Sequence, residues 1–123
     1  MAKVIGVGGI FFKSRDPKAL AEWYTEHLGL PVDKWGGARF AEDVSRPGYT
    51  LWSPFAVDTA YFGAGSQSYM INLRVDDLDA LLSQLRAAGV NVDERVDKSE
   101  YGAFGWITDP DGNRVELWQP PAA

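Results

Sequence analysis

MINLRV-DDLDALLSQLRAAG-VNVDERV (residues 70–96), then YGAFGWIT-DPDGN-RVELWQ (residues 101–119), is the stretch that decides the fold. MINLRV has strand composition. DDLDALLSQLRAAG opens on acidic residues, carries Leu78, Leu81, Leu82 and Leu85 in a stripe at helical spacing, and stops at Gly89. VNVDERV, YGAFGWIT and RVELWQ then read as three short strands. The last two are joined by DPDGN, whose Pro110 and Gly112 fit a tight turn with one left-handed residue.

Working outward, the first half carries a weaker copy. GIFFKSR (9–15) is strand-like, and the apolar run from Val4 to Phe12 supports a strand there. DPKALAEWYTEHLGL (16–30) is a helix with Asp16 as cap, Pro17 at the first helical position and Gly29 as stop. The opening Asp and terminal Gly lie 13 residues apart in both halves (29−16 and 89−76). LPVDKWGG, ARFAEDV and YTLWSPF (49–55) then stand where three strands are expected. The reading is an α+β single domain of two βαβββ modules, residues 4–55 and 69–119, joined by a Gly- and Ser-containing connector over 56–68.

The chain has 123 residues, enough for one core. Hydrophobic residues at 46% and charged residues at 24% exclude disorder as the main state. Seventeen acidic and twelve basic residues give a net charge of -5. That balance argues against nucleic acid and against an anionic membrane surface, both of which call for clustered Lys and Arg. The absence of cysteine removes disulfides, thiolate nucleophiles, zinc ribbons and iron–sulfur clusters. The single histidine, His27, sits near a helix C-terminus, where a cation is favoured. No apolar run is long enough to span a bilayer, and Val4–Phe12 lacks a cleavage pattern, so a cytoplasmic location is expected. GVGG (6–9) lacks the third glycine and the following helix of a dinucleotide fingerprint.

The duplicated units, the DP-helix-LG signature and the terminal DPDGNRVELW together resemble the vicinal oxygen chelate superfamily. This group includes glyoxalase I, extradiol dioxygenases and bleomycin-resistance proteins. The resemblance covers roughly residues 4–119. It implies that the two modules form an open, curled mixed sheet around a cavity, which in the metal enzymes holds one divalent ion on ligands from the first and last strands of each unit. Those positions fall here on Gly9, Thr50, Met70 and Glu116. Only Glu116 is a usual ligand for a hard or borderline divalent ion, because Gly has no side chain and Met suits soft Cu(I). A catalytic site normally needs about three protein ligands. The expectation is therefore no cofactor and no conventional metal site. A divalent ion with unusual ligation is the alternative.

Strand alternation sorts the residues that share the Glu116 face. They are Phe11, Thr50, Trp52, Met70, Asn72, Arg74, Phe104, Trp106 and Trp118, with Lys13 and Arg114 also on this face. The five-residue turn puts Thr108 opposite Arg114, Trp106 opposite Glu116 and Phe104 opposite Trp118. The opposite parity (Ile10, Phe12, Leu51, Ile71, Leu73, Val75, Ile107, Val115, Leu117) is aliphatic and is expected beneath the helices. Aromatic walls with a few polar anchors describe a small-molecule site for an aromatic or cationic ligand. Two readings of this face stand open: a lined pocket, or a cavity plugged by its own aromatics. The leading functional expectation is a glyoxalase- or bleomycin-resistance-like binder without metal. The alternatives are a metal-dependent lyase, isomerase or dioxygenase, and a metal-free enzyme with Glu116 as general base. Open sheet edges and apolar rims predict a homodimer.

Overall fold

The computed structural model describes Lys3, Val7 and residues 9–122. Residues 4–6 and 8 of the expected first strand lie outside the described residues. Helix α1 spans Pro17–Leu28. The Asp16 carboxylate accepts from the Ala19 amide at 3.1 Å, and Gly29 closes the helix at φ 68°. After it come β1 (Ile71–Arg74), α2 (Leu78–Ala87), β2 (Asn91–Val92), β3 (Asp97–Ser99), β4 (Gly102–Thr108) and β5 (Arg114–Gln119). Asp77, not Asp76, caps α2, through the Ala80 amide at 3.1 Å. The Asp-to-Gly spacing of the second helix is thus one residue shorter than the sequence suggests. No helix among the described residues is long and apolar enough to cross a membrane.

The fold is α+β, and its sheet is mixed and open. The strand order is β1-β5-β4-β2, with β3 also paired to β4. β1 runs parallel to β5, and β4 is antiparallel to β5, β2 and β3. The DPDGN turn sets the β4–β5 register, with Thr108 opposite Arg114, Trp106 opposite Glu116 and Phe104 opposite Trp118. β3 is the strand that the sequence hides. DKS has no apolar alternation, and it pairs because the chain doubles back at residues 100–101 onto the start of β4.

One face of the sheet is core. Ile107, Val115 and Leu117 meet Leu78, Leu82 and Leu85 of α2, all at 2% exposure or less. Trp23 and Leu28 of α1, with Leu73 and Val75, pack at its margin. Each of these leucines contributes roughly 1.5–3 kcal/mol by leaving water.

The first half departs from expectation. Between residues 9 and 70 the described chain forms α1 and one isolated bridge, Val32–Ala38. GIFFKSR, ARFAEDV and YTLWSPF are not strands here. Ile10, Phe12 and Leu51, expected in the core, are 54%, 42% and 73% exposed. The physical reason is pairing. Strand composition yields a strand only when a neighbour completes the ladder, and among the described residues β1 pairs on one side only, with β5.

Candidate functional site

The second face of the sheet carries Glu116 and the side chains paired with it. Asn72 on β1 and Trp106 on β4 both stand opposite Glu116 on β5, one from each side. Glu116 Oε1 accepts from Asn72 Nδ2 at 3.0 Å, and Oε2 accepts from Trp106 Nε1 at 3.3 Å. The carboxylate is only 5% exposed and the Trp106 indole 1%. A buried carboxylate costs free energy unless donors surround it, and the two N–H groups meet that need.

Trp118 lies one step along the same face, opposite Arg74 and Phe104. Its Nε1 donates to the Tyr101 carbonyl at 2.7 Å. Its ring stacks on Phe104, with centroids 6.2 Å apart and planes at 15°. Tyr49 tilts against it at 5.0 Å. Arg74 reaches back toward the Tyr49 carbonyl at 3.5 Å.

Cations already cover the Trp106 ring. The Arg114 guanidinium carbon is 5.3 Å from its centroid and that of Arg95 is 5.5 Å. Arg114 is held by Asp93 at 3.0 Å, and Arg95 reaches both oxygens of Asp97 at 2.9 and 2.8 Å. The Arg95 amide and the Arg114 guanidinium hold the Asp93 carboxyl below its ordinary range. Tyr61 meets the indole edge-on. Burial first, then the charge of Glu116, push the Tyr61 phenol up to about 12.

Six of the expected residues (Glu116, Asn72, Arg74, Phe104, Trp106 and Trp118) therefore share one face, and the pairing of β5 with β1 and β4 explains how. Phe11, Thr50 and Trp52 do not join them. Phe11 is 98% exposed and Trp52 81% exposed, so neither forms a wall over Glu116. Thr50 is exposed, and Met70, just ahead of β1, is half-buried. Alternation assigns faces only along a paired strand, and residues 9–15 and 49–55 are unpaired. Lys13 lies instead by the DPDGN turn, where it lines a shallow concavity of about 260 Å³ with Ser14, Arg15, Asp111 and Asn113. A second open groove, about 720 Å³, runs between α1 and residues 32–36.

Sequence reasoning missed Tyr61 and Arg95. Tyr61 sits in the connector, outside any periodic segment. Arg95 precedes the unforeseen β3. The aromatic pair Tyr61–Phe62 in a Gly- and Ser-containing stretch is the only signal that could have drawn attention there.

The residues present do not fit the divalent site of the metal enzymes. Glu116 has both oxygens engaged by N–H donors. Gly9 offers no side chain, and Thr50 is exposed. Among the described residues no three His, Cys, Asp or Glu side chains come together as a ligand group.

With this geometry in place, comparison with known proteins assigns the class. A family model described as a glyoxalase-like domain matches residues 9–118, and the chain belongs to that family. Among solved structures it is similar to TnmS3, an antibiotic binding protein from Streptomyces sp. CB03234, at 25% identity over 88% of each chain with a TM-score of 0.52. It shares its fold with TioX from Micromonospora sp. ML1, at 17% identity, 88% of this chain, 93% of that one and a TM-score of 0.54. A glyoxalase/bleomycin resistance protein from Streptomyces sp. CB03234 matches at 38% identity over only 42% of this chain and 46% of that one, with a TM-score of 0.38. The chain thus spans about half the length of some of the structures that it matches. No curated protein matches it.

Proposed function

We propose that this glyoxalase-like domain binds a small aromatic or cationic molecule on the Trp106–Glu116–Trp118 face, without a metal ion. The observation that carries the reading is the buried Glu116 carboxylate, fixed by Asn72 and Trp106 among aromatic rings. Rings supply dispersion and quadrupole attraction, and the carboxylate supplies a strong acceptor and a negative charge. A relative of similar length, TnmS3, is described as an antibiotic binding protein, which supports the same use of the fold here.

The test is equilibrium dialysis against a panel of planar aromatic cations and neutral planar aromatics. Saturable binding is expected for at least one, weakened roughly tenfold in Glu116→Gln, since loss of a charge-assisted contact removes about 1.5 kcal/mol or more. Absence of saturable binding across the panel, or binding indifferent to Glu116→Gln, contradicts the reading.

The same proposal includes a homodimer. Phe11, Phe40, Val44, Leu51, Trp52 and Val57 are each at least 68% exposed. Apolar surface concentrated in one half of a chain marks an interaction surface. Sedimentation at micromolar concentration is expected to show two copies; a monomer would overturn this part.

A further inference from the structure

The space over Trp106 is taken by the chain itself. Tyr61 presents its ring to the indole with centroids 5.9 Å apart and planes at 88°. Behind it, Phe55 stacks on Tyr61 at 5.6 Å and 16°, and Phe55 meets Phe62 at 5.1 Å. The segment is organised locally. Thr59 N–H donates to the Ala56 carbonyl at 3.0 Å, and Gly63 N–H donates to the Ala60 carbonyl at 3.1 Å. Tyr61 N–H donates to its neighbour Thr59 Oγ1 at 3.2 Å. Among the described residues, every backbone hydrogen bond of 55–63 closes within the segment, so rings rather than a ladder hold it to the sheet.

Gly63 seals the end of this segment. Its φ is +85°, and a Cβ there would lie 2.8 Å from Arg114 Cδ. Close by, Arg114 Nε is buried with no hydrogen-bond partner among the described residues. A buried donor left unpaired costs about 1–3 kcal/mol. The closed arrangement therefore carries a penalty that opening would relieve.

We propose that residues 55–63 are a displaceable lid in which Tyr61 stands in for the ligand, and that the ligand is a hydroxyl-bearing planar aromatic whose O–H donates to Glu116 while its ring meets Trp106. The inference rests on the small-molecule reading above and narrows it. Three observations converge on it. The occupant is a phenol ring set edge-on to an indole whose N–H holds a buried carboxylate. The segment carrying it has no backbone bond to the sheet. Displacement also frees the Arg114 Nε–H for an acceptor oxygen on the ligand. A lid that occupies its own site lowers apparent affinity by the fraction of time the site is open, so removing the occupant tightens binding.

The experiment measures dialysis of 2-naphthol and of its methyl ether, 2-methoxynaphthalene, against the intact chain, Tyr61→Ala and Tyr61→Phe. Melting curves confirm that each is folded. Tyr61→Ala is expected to bind 2-naphthol about tenfold tighter than the intact chain. Tyr61→Phe keeps the ring but gives up the hydroxyl, and is expected to tighten binding by about threefold. It carries the test alone if Tyr61→Ala does not fold. In every folded form the naphthol is expected to outbind its ether by about fivefold, because the ether has no proton to donate. Equal affinity of the intact chain and the Tyr61 variants overturns the lid. Equal affinity for naphthol and ether overturns the hydroxyl assignment. In both cases the binding reading survives. Failure of both probes to bind any folded form overturns the inference and counts against the binding reading too.

Discussion

Trp106→Ala is expected to destabilise the domain by about 3–5 kcal/mol, the range for removing a large buried aromatic. For a chain of this length that lowers the melting temperature by roughly 10–20 °C. The indole is 1% exposed in the middle of β4. Its removal leaves a cavity bounded by Tyr61, Arg95 and Arg114, all of which touch the ring's surroundings from different elements. It also strips one of the two N–H donors from Glu116. The buried carboxylate then keeps only Asn72, and an under-solvated charge adds to the cavity term. Trp106→Phe fills part of the space but still lacks the N–H, so it falls between the two. Urea unfolding checks this: the midpoint drops while the slope stays constant. A loss below about 1 kcal/mol would show that the ring is not packed as described.

Asp109→Ala is the second large effect, and it lies outside the site. Asp109 is 5% exposed and serves as acceptor for four donors. Its Oδ2 takes the Tyr24 hydroxyl at 2.8 Å and Asn113 Nδ2 at 2.9 Å. Its Oδ1 takes the Asp111 and Asn113 amides, both at 2.9 Å. One carboxylate thus shapes the DPDGN turn and fastens that turn to α1. Burial of Tyr24 against Asp109 pushes its phenol far above the ordinary range, so it stays a hydrogen-bond donor. Truncation orphans the Tyr24 hydroxyl in the interior and loosens the turn that sets the Trp106–Glu116 register. A cost of about 3 kcal/mol is expected. Tyr24→Phe alone costs about 1 kcal/mol. The double variant should fall short of the sum by a similar amount, because both substitutions remove the same bond. Full additivity in urea unfolding would show that Tyr24 and Asp109 do not act together.

These residues also show what the sequence could and could not reveal. The β4–β5 register was legible because a five-residue turn with Pro110 and Gly112 leaves one pairing, and that pairing places all the aliphatic residues of both strands on the α2 side. The helix ends were legible from Asp16, Gly29 and Gly89, although the choice between Asp76 and Asp77 depends on which carboxylate reaches the Ala80 amide. Glu116, Trp106 and Asn72 could be grouped because they sit on paired strands. Phe11, Thr50 and Trp52 could not be placed this way, since side-chain parity has no meaning where the backbone makes no ladder. Tyr61 and the Tyr24–Asp109 bond were invisible for a different reason. They depend on contacts across 45 and 85 residues that leave no local pattern.

The central claim is that Glu116 serves an organic ligand rather than a metal ion. The measurement that addresses it most directly is thermal unfolding of the metal-stripped chain, alone and with Zn, Ni, Mn, Co or Fe(II) at a hundredfold excess over a micromolar Kd. A bound ion at that excess would add about 2.7 kcal/mol, or roughly 8–15 °C for a chain of this size. The account predicts that every metal leaves the melting temperature within about 1 °C of the stripped protein, far below that linkage shift. A rise of roughly 8 °C or more with any one metal, abolished in Glu116→Ala, would contradict it.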